Sequence, residues 1–244
     1  MKALASDFDG TLFFSDRTPK ICSQDLASIA AFQAKGNLFG FCTGRTIEGI
    51  LENTRGILDA DFYITNSGAC ILNKNLDILF EKTIPKTIVD AIIQYGLTHS
   101  YTIDIHMDGD FFAFLEPDEY ASKVLDSLDA VCGNVHNISF DANTHENAAN
   151  LATKINELFP GQVTAFQNTQ YVDIAPFGCS KGTGIDFVRN FLNIQCISGI
   201  GDSMNDLPMF KKTDFSFTFP DSPESLQAQA DCIVSSVSEA ISKL

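Results

Sequence analysis

Positive charge is scarce in this chain: 16 lysines and arginines stand against 31 aspartates and glutamates, a net charge of −15 over 244 residues. That balance disfavours nucleic acid and anionic membrane surfaces as partners. It also sets a repulsive field against any anionic substrate, which local positive groups and a metal ion must overcome. No apolar run approaches the roughly 20 residues of a membrane-spanning helix. Met1-Lys2-Ala3-Leu4-Ala5 leads straight to Asp7, leaving no room for the apolar segment of a secretory leader, so the expected address is cytoplasmic. The seven cysteines are odd in number and none forms a Cys-x-x-Cys pair, which argues against a disulfide framework. The four histidines lack His-x-His or His-x₃-His spacing, and structural roles are expected for them.

What is present is a rhythm of short apolar runs and amphipathic segments at both ends of the chain. Strands are expected over 3–5, 37–42, 62–65 and 195–200. Helices are expected over 24–34 with Ser23 as N-cap, 47–54, 181–192 with Ser180 as N-cap, and 204–210. Short strands over 215–217 and 232–234 and a terminal helix complete the series. Such alternation predicts a Rossmann-like parallel sheet with helices on both faces.

Between these stretches the pattern changes. A helix over 86–95 precedes strands 101–107 and 111–115, joined by Asp108-Gly109, a strong hairpin signal. A helix over 118–128 and a strand over 135–140 follow. Then a helix over 144–159 precedes strands 162–166 and 171–175, turning at Asn168. Helices grouped with hairpins predict an α+β module with an antiparallel sheet. The two α-β-β units read as a degenerate internal repeat. The fold class is therefore α/β: a core of residues 1–81 and 178–244, interrupted by an α+β module over 82–177.

Three motifs stand where core strands end: Asp7-Phe8-Asp9-Gly10-Thr11, Thr43-Gly44-Arg45 and Gly201-Asp202-Ser203-Met204-Asn205-Asp206. Ligands of open α/β sheets collect at that edge. Each motif also has a plain structural reading. Asp9-Gly10 suits a hairpin turn, Thr43-Gly44 a strand-to-helix turn, and Ser203-x-x-Asp206 a helix cap. Those readings leave Asp7 and Asp202 unexplained, and a buried carboxylate without a partner is costly. Clustered carboxylates imply a divalent cation. Lys181 falls in a first helical turn, where the macrodipole disfavours a cation, and an anionic partner would offset that.

Together these residues resemble the haloacid dehalogenase-like superfamily, over essentially the whole chain. Asp7-Phe8-Asp9-Gly10-Thr11 matches its first motif, Thr43 its second, Lys181 its third, and Gly201-Asp202-x-x-Asn205-Asp206 its fourth. The inserted α-β-β units are similar to the class IIB cap of the Cof-type phosphatases. Asn66-Ser67-Gly68-Ala69 departs from the Asn-Gly-Ala common after the third core strand.

The resemblance implies a Mg²⁺-dependent phosphatase for a small phosphomonoester, such as a sugar phosphate or phosphorylated cofactor. It makes Asp7 the nucleophile, Asp9 the general acid and base, and Asp7, Asp9 and Asp202 the metal ligands. Phe8, Gly10, Thr43, Gly44, Arg45, Lys181 and Asn205 would contact substrate, with Asp206 orienting Lys181. Arg45 and the turn around 108–112 are candidate surfaces for reading the leaving group. A monomer or weak homodimer is expected. The alternatives are a phosphomutase or phosphotransferase on the same site, or a non-catalytic binding protein on the same fold.

Overall fold

A computed structural model describes residues 1–118 and 121–244. Its strands are β1 (Lys2–Ser6), β2 (Leu38–Cys42), β3 (Phe62–Thr65), β4 (Cys70–Asn73), β5 (Ile78–Glu81), β6 (Thr102–Met107), β7 (Asp110–Phe114), β8 (Lys123–Leu125), β9 (Val135–Asp141), β10 (Val163–Asn168), β11 (Tyr171–Pro176), β12 (Cys196–Ile200), β13 (Phe215–Thr218) and β14 (Cys232–Ile233). The longer helices are α1 (Ser23–Ala34), α2 (Ile47–Thr54), α3 (Lys86–Thr98), α4 (His145–Leu158) and α5 (Lys181–Phe191). No described helix is long and apolar enough to cross a membrane.

The core is an eight-stranded sheet in the order β14-β13-β12-β1-β2-β3-β4-β5, parallel from β14 to β3. Strands β1, β2 and β3 are apolar and almost wholly buried, as strands covered on both faces must be. From β1 the chain moves outward through β2 to β3, and later returns on the opposite side of β1 as β12. The reversal lies between β1 and β12, and their carboxyl ends form the crevice where this topology places a ligand. The hairpin β4–β5, which no sequence signal marked, extends the sheet in antiparallel fashion.

A second sheet, β10-β11-β9-β6-β7-β8, lies between β5 and β12 in sequence. One of its faces packs Ile103, Ile105, Ile138, Phe140, Val172 and Ile174 into an apolar cluster with residues of α3 and α4. Among the described residues of 118–128 the expected helix does not form. Residues 123–125 instead form β8, parallel to β7, and Leu128–Ala130 makes a single 3₁₀ turn. Residues 119 and 120 of that segment lie outside the described residues. The free edge of β7 explains the outcome: Ser122 donates both its amide and its hydroxyl to the Phe111 carbonyl, and the ladder outcompetes weak helical propensity. Two smaller differences concern helix starts. Ser23 is the first residue of α1 rather than its cap, and Cys22 at the cap position makes no capping bond. The expected helix over 204–210 opens as a 3₁₀ turn, Met204–Asp206.

Gly40 of β2 sits opposite Phe62, and a methyl group there would lie 2.3 Å from the ring. Gly40→Ala is expected to lower stability by about 1–3 kcal/mol through overpacking. Chemical denaturation measures this; an unchanged midpoint would mean that the Phe62 ring can turn aside.

Candidate active site

The site is built where strands run out. The Asp7 amide donates to the Ile200 carbonyl at 2.9 Å, carrying the β1–β12 pairing one step past the strands. On the other side the Thr43 amide donates to the Ile64 carbonyl at 2.9 Å. Asp7, Thr43 and Asp202 thus come together at one sheet edge from distant parts of the chain.

Lys181 supplies the positive charge. It is the first residue of α5, held by Ser180 and Thr183 in a reciprocal capping box. Its ammonium group donates to Asp7 Oδ1 at 2.8 Å, to Asp206 Oδ1 at 2.5 Å and to Asn205 Oδ1 at 3.4 Å. The side chain is essentially excluded from solvent. Burial alone would drive its proton off, but Asp206 and Asp7 outweigh that and hold it above the usual lysine range.

Asp206 is a bracing group. Its Oδ1 holds Lys181, and its Oδ2 accepts from the amides of Asp202 and Ser203 at 3.0 and 3.1 Å. The expected capping role of Ser203 and Asp206 is present as well. Asn205 accepts from Ser203 Oγ at 2.7 Å and from Lys181, which places it in support of the loop.

Asp202 Oδ1 accepts from Thr11 Oγ1 at 2.9 Å. Thr11 was given no role from sequence, since only the fold shows that it reaches Asp202. Gly10 lies beside it in the left-handed region at φ +71°, and a Cβ there would lie 2.6 Å from Asp202 Oδ2. Phe8 is fully buried, stacked on Phe13 with ring centroids 4.9 Å apart.

Carboxylate oxygens of Asp7, Asp202 and Asp206 lie within 4.8 Å of one another. Three carboxylates therefore share one ammonium. Burial raises the Asp7 carboxyl well above its usual range; Lys181 pulls it back, while Asp206 and Asp202 push it up again. Burial and Asp206 push Asp202 up to about 6, against the Thr11 hydrogen bond. A hard divalent cation suits this set of oxygen donors with unbalanced charge.

Asp9 is placed differently. Its carboxylate is half-exposed and gripped by Arg45, with Nε and Nη2 each 2.7 Å from an oxygen. Arg45 also donates to the Gly49 carbonyl at 2.9 Å and lies over the Phe8 and Phe13 rings. The guanidinium, expected at the leaving group, is thus committed to Asp9. The turn at 108–109 packs by α2: a Cβ at Gly109 would meet Ile47 Cγ2 at 3.5 Å. Asp108 there accepts from the Asn134 amide at 2.9 Å.

Thr43 is buried, its carbonyl accepting from the Ser67 amide at 3.0 Å. Asn66 and Ser67, where the sequence departs from Asn-Gly-Ala, both have positive φ, at 50° and 53°. Gly44 marks a close approach between the two sheets, since a Cβ there would lie 3.1 Å from Asp173 Oδ2 of β11. Asp173 carried no sequence signal for such a place.

A family model described as haloacid dehalogenase-like hydrolase matches residues 4–243. An HMP-PP phosphatase of Escherichia coli O157:H7 is 22% identical over 240 residues, covering 92% of this chain and 86% of its own. Among solved structures, the HAD subclass IIB sugar phosphatase BT4131 aligns with a TM-score of 0.82 at 21% identity, covering 100% of this chain and 98% of that one. A haloacid dehalogenase-like hydrolase from B. subtilis aligns at 0.87 and 16% identity, covering 98% and 96%.

The raised carboxyls have a consequence in metal-free solution. The folded-state pKa of Asp202, about 6, exceeds the unfolded value near 3.9, so the stability it contributes is full below about pH 4 and lost as pH rises to about 6. A metal needs these groups ionised. Mg²⁺ is therefore expected to raise Tm more at pH 7.5 than at pH 5; equal shifts at both would contradict the assignment of these carboxylates to a cation.

Proposed function

The chain belongs to the haloacid dehalogenase-like hydrolases, and we propose that it is a Mg²⁺-dependent phosphatase that cleaves a small phosphomonoester through an aspartyl-phosphate on Asp7. The observation that carries this reading is Lys181, held between Asp7 and Asp206 beside Asp202. A lysine this deeply buried serves an anion at the sheet edge as well as its two carboxylates. The relatives named as phosphatases support the same reaction class.

Asp7, Asp202 and the Asp9 backbone carbonyl would hold the cation. Bound there, it would neutralise the carboxylates and lift the repulsion between Asp7 and phosphate, about 4 kcal/mol for unit charges 4 Å apart at an effective dielectric of 20.

The chain's own groups perform the rest. Lys181 aims Asp7 and favours its ionised form against burial, one of its oxygens accepting from the ammonium and the other left to attack phosphorus. A bond forms from that oxygen to phosphorus as the bond to the leaving oxygen breaks. Asp9 gives the leaving oxygen a proton, then takes one from the water that hydrolyses the aspartyl-phosphate. To do so it exchanges the Arg45 fork for the substrate. Thr43, the Gly44 amide and Lys181 hold phosphate oxygens as charge spreads over them. Phe8 and Gly10 shape the loop that presents Asp7 and Asp9. The module over 82–177 acts as a cap domain, excluding water and contacting the leaving group.

The decisive variant is Asp7→Asn. Phosphate release from p-nitrophenyl phosphate is expected to depend on Mg²⁺ and to fall at least a thousandfold in this variant, with the fold retained by circular dichroism. Turnover surviving in Asp7→Asn would overturn the mechanism.

A further inference from the structure

The face of the second sheet turned away from its apolar cluster is polar, buried and short of partners. Opposite residues of antiparallel strands share a face, so Asp104 (β6), Ser139 (β9) and Asp173 (β11) form one row across it. His106 and Asn137 stand beside them. This face looks at the catalytic edge. His106 Nδ1 lies 3.0 Å from Asn66 Oδ1, and Asp173 Oδ2 is the atom that a side chain on Gly44 would strike.

Two observations on this face point to a ligand. Asp104 Oδ1 and both amide atoms of Asn137, together with Ser67 Oγ in the turn between β3 and β4 of the core, are buried without hydrogen-bond partners, and Asn137 is 0% and Asp104 7% exposed. Polar atoms left so are costly, and a ligand would supply what they lack. The charge is also one-sided. None of the ion pairs among the described residues involves Asp104, Asp141 or Asp173. Lys181, whose charge reaches Asp173, is already committed to Asp7 and Asp206.

Resting on the phosphatase reading, we propose that the alcohol part of the substrate carries a positively charged amine, received by Asp104 and Asp173, with Asn137 bonding a polar group beside it. A neutral polyol needs donors and acceptors in similar number. Here Ser139 Oγ and Asn168 Nδ2 both already donate to Asp173, and outside the Asn137 amide what remains on the row is the acceptor oxygens of the Asp104 and Asp173 carboxylates. An ammonium group, which only donates, is the better complement. Burial, with Asp118, Asp141 and Asp173 nearby, pushes Asp104 up to about 7, the state a bound cation would relieve. His106 brings no charge, because burial, His136 and Arg45 push it down to about 4. An amine also makes the phosphoester zwitterionic, reducing its repulsion by a chain of net charge −15.

The test compares matched esters: glucosamine 6-phosphate against glucose 6-phosphate, and 2-aminoethyl phosphate against 2-hydroxyethyl phosphate. The amine is expected to be favoured roughly tenfold or more in kcat/KM, mainly through KM. In Asp104→Asn the ratio of amine to neutral ester should fall toward one. Equal kcat/KM within both pairs, on protein that turns over p-nitrophenyl phosphate, would overturn the inference. So would an Asp104→Asn variant that slows both esters alike, which marks a structural role. If p-nitrophenyl phosphate is not turned over, the phosphatase reading falls and ligand-induced thermal shifts decide: a larger shift with the amine ester upholds the amine site, and equal shifts overturn it.

Discussion

One buried ammonium group organises the candidate active site. Lys181 is the only cation bonded to Asp7 and Asp206 among the described residues, and its removal would strand both carboxylates out of water. Breaking a buried pair in this way costs about 3–5 kcal/mol. The loops follow from that constraint. Ser180 and Thr183 fix the start of α5 so that Lys181 points at the sheet edge. Asp206 spends its second oxygen on the Asp202 and Ser203 amides, so the loop that carries Asp202 is tied to the group that holds the lysine. Asp7, Lys181 and Asp202 are thus one connected network, and its three carboxylates leave negative charge uncompensated.

That residual charge separates two kinds of work. On the core side it suits a divalent ion and a phosphate held against it. On the facing sheet, Asp104 and Asp173 repeat the theme without a lysine of their own. The two acidic surfaces approach closely at Gly44, which has no side chain to keep them apart. A chain of net charge −15 can gather an anionic ester only by such local arrangements. Arg45 is given over to Asp9.

The gathering of the candidate site was legible in the sequence because its residues sit in short motifs at strand ends. Asp7, Asp9, Thr43, Lys181, Asp202 and Asp206 could be singled out there, and the alternating strands and helices implied a sheet that gathers them. The parallel core and the separate antiparallel sheet follow from the same patterns. What the sequence did not reveal depends on tertiary pairing. The segment over 123–125 reads as helix until the free edge of β7 claims it as a strand. Thr11 gains a role only when β12 lies beside β1. Asp104, Asn137 and Asp173 look like ordinary polar positions of alternating strands, and only their burial, with Asp104 Oδ1 and the Asn137 amide left without hydrogen-bond partners, distinguishes them.

The proposed reaction requires that Asp7 become covalently phosphorylated. Acid-quenching the enzyme during turnover of p-nitrophenyl phosphate with Mg²⁺, then reducing with borohydride, converts an acyl phosphate to an alcohol that peptide mass spectrometry locates. Homoserine is expected at position 7, only when both substrate and Mg²⁺ are present. Steady turnover with position 7 unmodified, or with the reduced residue elsewhere, would contradict it.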